Sequence, residues 1–251
     1  MLLRPGEGET TTDRPERTLR ILCDLEQLIV TWFRYEPGEK GPDPHVHRQH
    51  TDSFYVLEGE LEFGLGPDVT RVRGGSGTFA AAPPGVVHTF QNTSDETAIF
   101  LNVHAPSMGF GDVLRGRGRE HFDQFDPPED GGRPFDDAIL QPAGEGERVE
   151  RRDTFHLIKA ELEELSVFEM AFSPDFEGVQ AHIHEDLADV FLVLEGEGEF
   201  IVGDEVQRAG PGTFFAAPPG ARHGFSNPGQ GLLRLLNLHA PDAGFAGRLR
   251  A

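Results

Sequence analysis

The chain has 251 residues, enough for one large domain or for two smaller ones each with its own core. Its 43 acidic and 22 basic side chains leave a formal charge of −21, a field that repels nucleic acid and anionic membrane surfaces alike. Cys23 is the only cysteine, so an intrachain disulfide and a thiolate metal cage are excluded.

In chain order, the opening "MLLRPGEGETTTDRPERT" lacks the apolar heart of a signal peptide, and no later run approaches a membrane span. The expectation is a cytoplasmic protein. "LIVTWFRY" is rich in β-branched and aromatic residues without helical spacing, which predicts a strand. "PHVHRQHTDSFYVLEGELEF", residues 44–63, follows. On a strand His45 and His47 would leave by the same face. "SFYVLEGELEF" then predicts a hairpin, strand to Glu-Gly turn to strand. Its first arm is apolar on both sides, Phe54 and Val56 on one and Tyr55 and Leu57 on the other. Both faces need cover: one can fill a barrel, the other can meet a sister domain or a second subunit, which leaves a homodimer open. "AAPPG" is a turn opening the strand of His88, and Asn102 and His104 sit two apart on the next strand. Residues 111–138 are charged and rich in Pro and Gly, predicting a short helix and then a linker.

Beyond that segment the chain repeats itself. "PHVHRQHTDSFYVLEGELEF" returns as "AHIHEDLADVFLVLEGEGEF", "GTFAAAPPGVVHTFQN" as "GTFFAAPPGARHGFSN", and "LNVHAPSMGF" as "LNLHAPDAGF". Even "LRPGEGE" near the start reappears as "LQPAGEGE". The offset falls from 137 to 135 between the first motif and the others, so one hairpin of the second copy is shorter by two residues. The expected organisation is a first domain over 1–110, a helix and linker over 111–138 and a second domain over 139–251. His45, His47, His88 and His104 correspond to His182, His184, His223 and His239, whereas His50, His121 and His156 have no partner. All four asparagines of the chain, Asn92, Asn102, Asn227 and Asn237, are paired too. Ordinary surface polar residues do not line up so completely.

The spacing HxHx₄D…G, then Gx₅PxGx₂Hx₃N, occurs in both copies and closely resembles the two signature motifs of the cupin superfamily. With the duplication, the chain resembles a bicupin over nearly all its length outside the linker. The resemblance implies an all-β fold, two tandem jelly-roll (double-stranded β-helix) barrels. It further implies one divalent transition metal per barrel, held by His45, His47, Asp52 and His88 and by His182, His184, Asp189 and His223. Imidazole and carboxylate donors suit Fe, Mn, Ni, Cu, Co or Zn. Cupins usually carry glutamate where this chain has Asp52 and Asp189. The shorter aspartate either ligates from a closer strand or stands just outside the metal as a catalytic base. Asn102, His104, Asn237 and His239 are candidates to line the pockets, while Asn92 and Asn227 read as turn residues. Three functions remain open for a small-molecule substrate or ligand. They are a dioxygenase for an enolic or aromatic compound, as in quercetinase-like bicupins, a redox-neutral isomerase or decarboxylase, and a non-catalytic ligand- or metal-binding barrel. The first copy, with His50 and Tyr55 where the second has Leu187 and Leu192, carries the richer polar set.

Overall fold

The computed structural model describes residues 1–174 and 176–251. They form two compact units, one of residues 8–145 and one of residues 146–251 joined by residues 1–7. Strand pairing sets these limits. Leu2–Leu3 runs antiparallel to Phe214–Ala217 of the second unit, and Ile139–Gln141 runs antiparallel to Phe79–Ala82 of the first. The two matching entry segments have thus changed places, each closing the edge of the other copy's sheet and occupying backbone groups that would otherwise stand open. The limits expected at 110 and 139 move accordingly, and the whole of 111–138 belongs to the first unit.

In the first unit a seven-stranded antiparallel sheet runs in the spatial order Ile139–Gln141, Phe79–Ala82, Thr51–Glu58, Ala98–Ala105, Ile29–Tyr35, Arg17–Asp24, Glu9–Asp13. A three-stranded sheet adds Thr70–Gly75, Glu60–Leu65 and His88–Gln91. The core lies between the two sheets, where Phe54, Val56 and Phe100 meet Leu61, Phe63 and Phe90. The second unit repeats the plan. Its seven-stranded sheet runs Leu2–Leu3, Phe214–Ala217, Ala188–Glu195, Leu233–Ala240, Ser166–Phe172, Thr154–Glu161, Glu147–Glu150. The smaller sheet has four strands, because Phe176–His182 joins it beside His223–Asn227. Phe168, Phe191, Phe200 and Phe225 fill this second core.

Two expectations change. "VLEGE" is not a hairpin: Thr51–Glu58 pairs with the large sheet and Glu60–Leu65 with the small one, so the turn carries the chain between sheets. Gly59 makes that step at φ 71°, where a Cβ would stand 2.3 Å from the Thr97 carbonyl oxygen. The short helix is also not confined to the first copy, since Phe110–Leu114 has its counterpart in Phe245–Arg250. The two-residue difference falls in the turn between Glu60–Leu65 and Thr70–Gly75, against the tighter one between Gly198–Val202 and Glu205–Ala209.

Candidate metal centres

In the first barrel His45 and His47 do not share a continuous strand. Pro42 and Pro44 deny the ladder two donors, and single bridges from His45 to His88 and from Val46 to Phe125 hold the segment. The rings converge even so, with centroids of His45 and His88 4.2 Å apart and those of His47 and His88 5.0 Å apart. Each ring turns Nδ1 outward to a backbone carbonyl. His45 meets Asp43 at 2.9 Å, His88 meets Val86 at 3.0 Å, and His47 meets Asp123. That fixes Nε2 as the free nitrogen on every ring. Asp52 Oδ2 faces the same point, 3.2 Å from His88 Nε2 and 3.8 Å from His47 Nε2, and the four donor atoms lie within 4.8 Å of one another.

His47 Nε2 is buried and has no hydrogen-bond partner. A cation at the shared point would supply the missing interaction, and three neutral imidazoles with one carboxylate are a donor set that divalent transition metals favour. Burial pushes the His45 imidazole down to about 3, with His88 and His47 adding to the effect, so it stays neutral and able to ligate. Burial alone would raise the Asp52 carboxyl, but the electrostatic influence of His104 and the close approach of the His47 and His88 imidazoles outweigh it and hold the group well below its usual range. Its second oxygen is turned away and bonded to the Asn102 amide.

Behind this group stands a buried hydrogen-bonded chain that the sequence did not announce. Asp123 Oδ2 accepts from the backbone amides of Arg48 and Gln49 and lies 3.0 Å from His50 Nδ1. His50 Nε2 lies 2.9 Å from His104 Nδ1, and His104 Nε2 lies 3.1 Å from Asn102 Oδ1. His47, His50 and His104 thereby form a further close cluster. Asp123 and Phe122 come from the segment read as linker, and both are buried. The signal was the aromatic pair in "HFDQFD", out of character for a solvated charged stretch. Asn92 is structural, as expected, its amide bracing the Tyr35 and Glu96 carbonyls. Asn227 does the same for Phe172 and Gly231.

The second barrel repeats the donors. Nδ1 of His182 bonds the Gln180 carbonyl and Nδ1 of His223 the Ala221 carbonyl, each at 2.9 Å. His182 Nε2 and His184 Nε2 stand 3.0 Å apart, and Asp189 Oδ2 lies 3.2 Å from His223 Nε2 and 3.7 Å from His184 Nε2. Asn237 donates to Asp189 Oδ1 at 2.6 Å, and His239 Nε2 lies 3.3 Å from the same oxygen. Two imidazole nitrogens facing each other beside a carboxylate fit a shared cation as well. Burial again opposes ionisation of Asp189, but His239 and the hydrogen bonds of His184, His223 and His239 hold its carboxyl well below the usual range.

Accessibility separates the two centres. Leu187 replaces His50, and His182 and His184 are only partly buried, whereas all four donors of the first barrel are buried. A cavity of about 230 Å³ in the second barrel is lined by all four donors together with Asn237 and His239. The first barrel has a cavity of about 320 Å³ that reaches His45 and Asp52, with Asn102 and His104, but not His47 or His88. The donors of the first barrel are therefore the more enclosed, and those of the second the more accessible.

Comparison with known proteins agrees with this architecture. Solved structures with the same fold include oxalate decarboxylase from Bacillus subtilis (16% identity, TM-score 0.64, covering 96% of this chain and 76% of that one). Another is the Lactobacillus farciminis oxalate decarboxylase formate complex (13% identity, TM-score 0.67, covering 96% and 86%). An uncharacterised protein of Aquifex aeolicus is 35% identical over 72 residues, 29% of this chain, and the chain spans 57% of that relative's length. The model of the Cupin domain family matches twice, over residues 31–104 and 168–239, regions that hold the donors of both centres. The chain belongs to the cupin family and is a bicupin, two tandem cupin barrels with a metal-binding group in each.

Proposed function

We propose that the chain is a metal-dependent, redox-neutral enzyme of the decarboxylase type, working in the second barrel on a small carboxylate with an apolar body. The observation that carries this reading is the placement of His182, His184, Asp189 and His223 together on the wall of a cavity whose remaining lining is mainly aromatic and aliphatic. A divalent ion held there would keep positive charge after one carboxylate ligand and would act as a Lewis acid, drawing electron density from the substrate as carbon dioxide leaves. Asp189 stays ionised and, with Asn237, fixes the orientation of the donors. Met170, Phe172 and Phe191 exclude water from the cavity and fit an apolar substrate body. The similarity to oxalate decarboxylases over 96% of the chain supports decarboxylation. The surface charge of −21 opposes dianions such as oxalate, although Arg248 lines the cavity and offers a cation to a second carboxylate.

The aromatic walls also favour a second reading, a dioxygenase acting on an enolic or aromatic substrate in the same cavity. The two are separated by assaying metal-loaded protein with small β-keto and aromatic carboxylates while following carbon dioxide release and dioxygen consumption together. Decarboxylation predicts release without oxygen uptake, lost in His184→Ala and kept in His47→Ala. Stoichiometric oxygen uptake would replace it with the dioxygenase reading, and no turnover with either substrate class would leave a ligand-binding barrel.

A further inference from the structure

His156 occupies a position the repeat would fill with leucine. It faces Met170 across the ladder as Leu19 faces Phe33 in the first barrel, and Leu19 belongs to that barrel's core. The imidazole is buried, with an exposure of 5%, and it meets Phe172 and Phe245 edge-on with ring centroids 6.1 Å away in each case. Its Nδ1 has no hydrogen-bond partner among the described residues. Burial pushes the imidazole down to about 4, aided by the charge of Arg151, so at neutral pH the ring is uncharged with one donor and one acceptor nitrogen. A buried imidazole nitrogen without a partner destabilises the fold, and at this place leucine is available to the same architecture. His156 nevertheless lines the cavity that holds the second metal-binding group.

We propose that His156 is the specificity-determining residue of this cavity, forming a hydrogen bond to a hydroxyl or carbonyl oxygen on the apolar body of a substrate whose carboxylate is anchored at His182, His184, Asp189 and His223. The inference rests on the reading of the second barrel as a carboxylate-handling centre and adds the substrate class: a small, apolar, ring-sized acid is not enough, and an oxygen on its body is required. Among aromatic acids the hydroxylated ones are selected over the unsubstituted parent, because only they give the buried ring a partner.

The test uses the zinc-loaded full chain titrated with benzoate and with ortho-, meta- and para-hydroxybenzoate. At least one hydroxybenzoate should bind roughly tenfold tighter than benzoate, the ratio equivalent to about 1.4 kcal/mol. His156→Leu should abolish that preference while leaving benzoate affinity and zinc content unchanged, and it should melt no lower than the wild type. Benzoate binding without a hydroxyl preference, or a preference that survives His156→Leu, would overturn the inference and leave the functional reading standing. A lower melting temperature or loss of folding in His156→Leu would assign the ring a structural role and overturn it too. Failure of all the acids to bind would overturn the inference together with the reading on which it rests.

Discussion

The backbone carbonyl of Asp123 accepts a hydrogen bond from Nδ1 of His47, a residue 76 positions earlier in the chain. The Asp123 carboxylate meanwhile holds the Arg48 and Gln49 amides and His50, so one residue of the inter-barrel segment steadies the whole His47 turn. Partners of this kind orient a metal ligand, and removing one typically costs about 10–100-fold in affinity. Asp123→Ala keeps the carbonyl bonded to His47 but removes the carboxylate that fixes the turn after it, so metal binding in the first barrel should weaken by less than about 10-fold and the second should stay unchanged, as read by competition with a chromophoric chelator.

Metal stoichiometry should report the two centres separately. Wild-type protein loaded and desalted should retain two ions, while His47→Ala and His184→Ala should each retain one. The mutated rings lie outside both apolar core clusters, so both variants should keep the wild-type circular dichroism spectrum. Asp189→Asn removes the anionic donor without changing the shape of the group. If Asp189 ligates, elemental analysis will show the second ion lost or greatly weakened; full retention would place the carboxylate outside the coordination sphere.

His156 should also mark the pH dependence of stability. Its folded value of about 4 lies below the unperturbed imidazole value of about 6.5. As pH falls through 6.5 the unfolded chain takes up a proton there that the folded chain refuses until about 4, so stability is lost across that window. His156→Leu removes this pH-dependent contribution. Melting of the metal-free proteins should show the variant gaining on the wild type between pH 7 and pH 5, with no change in their difference above pH 7.

Gly196 is the counterpart of Gly59 and carries the second copy between sheets at φ 78°, where a Cβ would stand 2.1 Å from the Leu232 carbonyl oxygen. Gly203 has φ 64° but nothing within 4 Å of a built Cβ. Gly203→Ala should cost only the left-handed backbone penalty, about 1–2 kcal/mol. Gly196→Ala adds a backbone clash and should be clearly more destabilising in urea unfolding. Equal effects would mean that the neighbouring Leu232 strand yields easily.

Removing residues 1–7 tests the exchange of edge strands. Leu2–Leu3 covers Phe214–Ala217, and the Met1 amino group donates to the Ala216 carbonyl at 2.8 Å. The truncated chain should lose stability in its second unit, expose an open edge and aggregate more readily, while metal binding in the first unit persists.

The sequence by itself determined the duplication and the β character of both halves, because strand periodicity and motif spacing are local properties of the chain, and the resemblance of its motifs to those of cupins implied the eight candidate ligands. It located the two-residue difference for the same reason. Tertiary structure alone decided what depends on pairings between distant residues. Leu2–Leu3 and Ile139–Gln141 look alike in sequence, and only the sheet register shows that each closes the other copy's barrel. The segment around Asp123 reads as linker because its charges and prolines are what solvent-exposed chain also contains, yet Phe122 and Asp123 are buried against the first centre. The same limit applies to His156: an unpaired histidine in the sequence becomes informative only when burial, a missing hydrogen-bond partner and a cavity coincide at its ring.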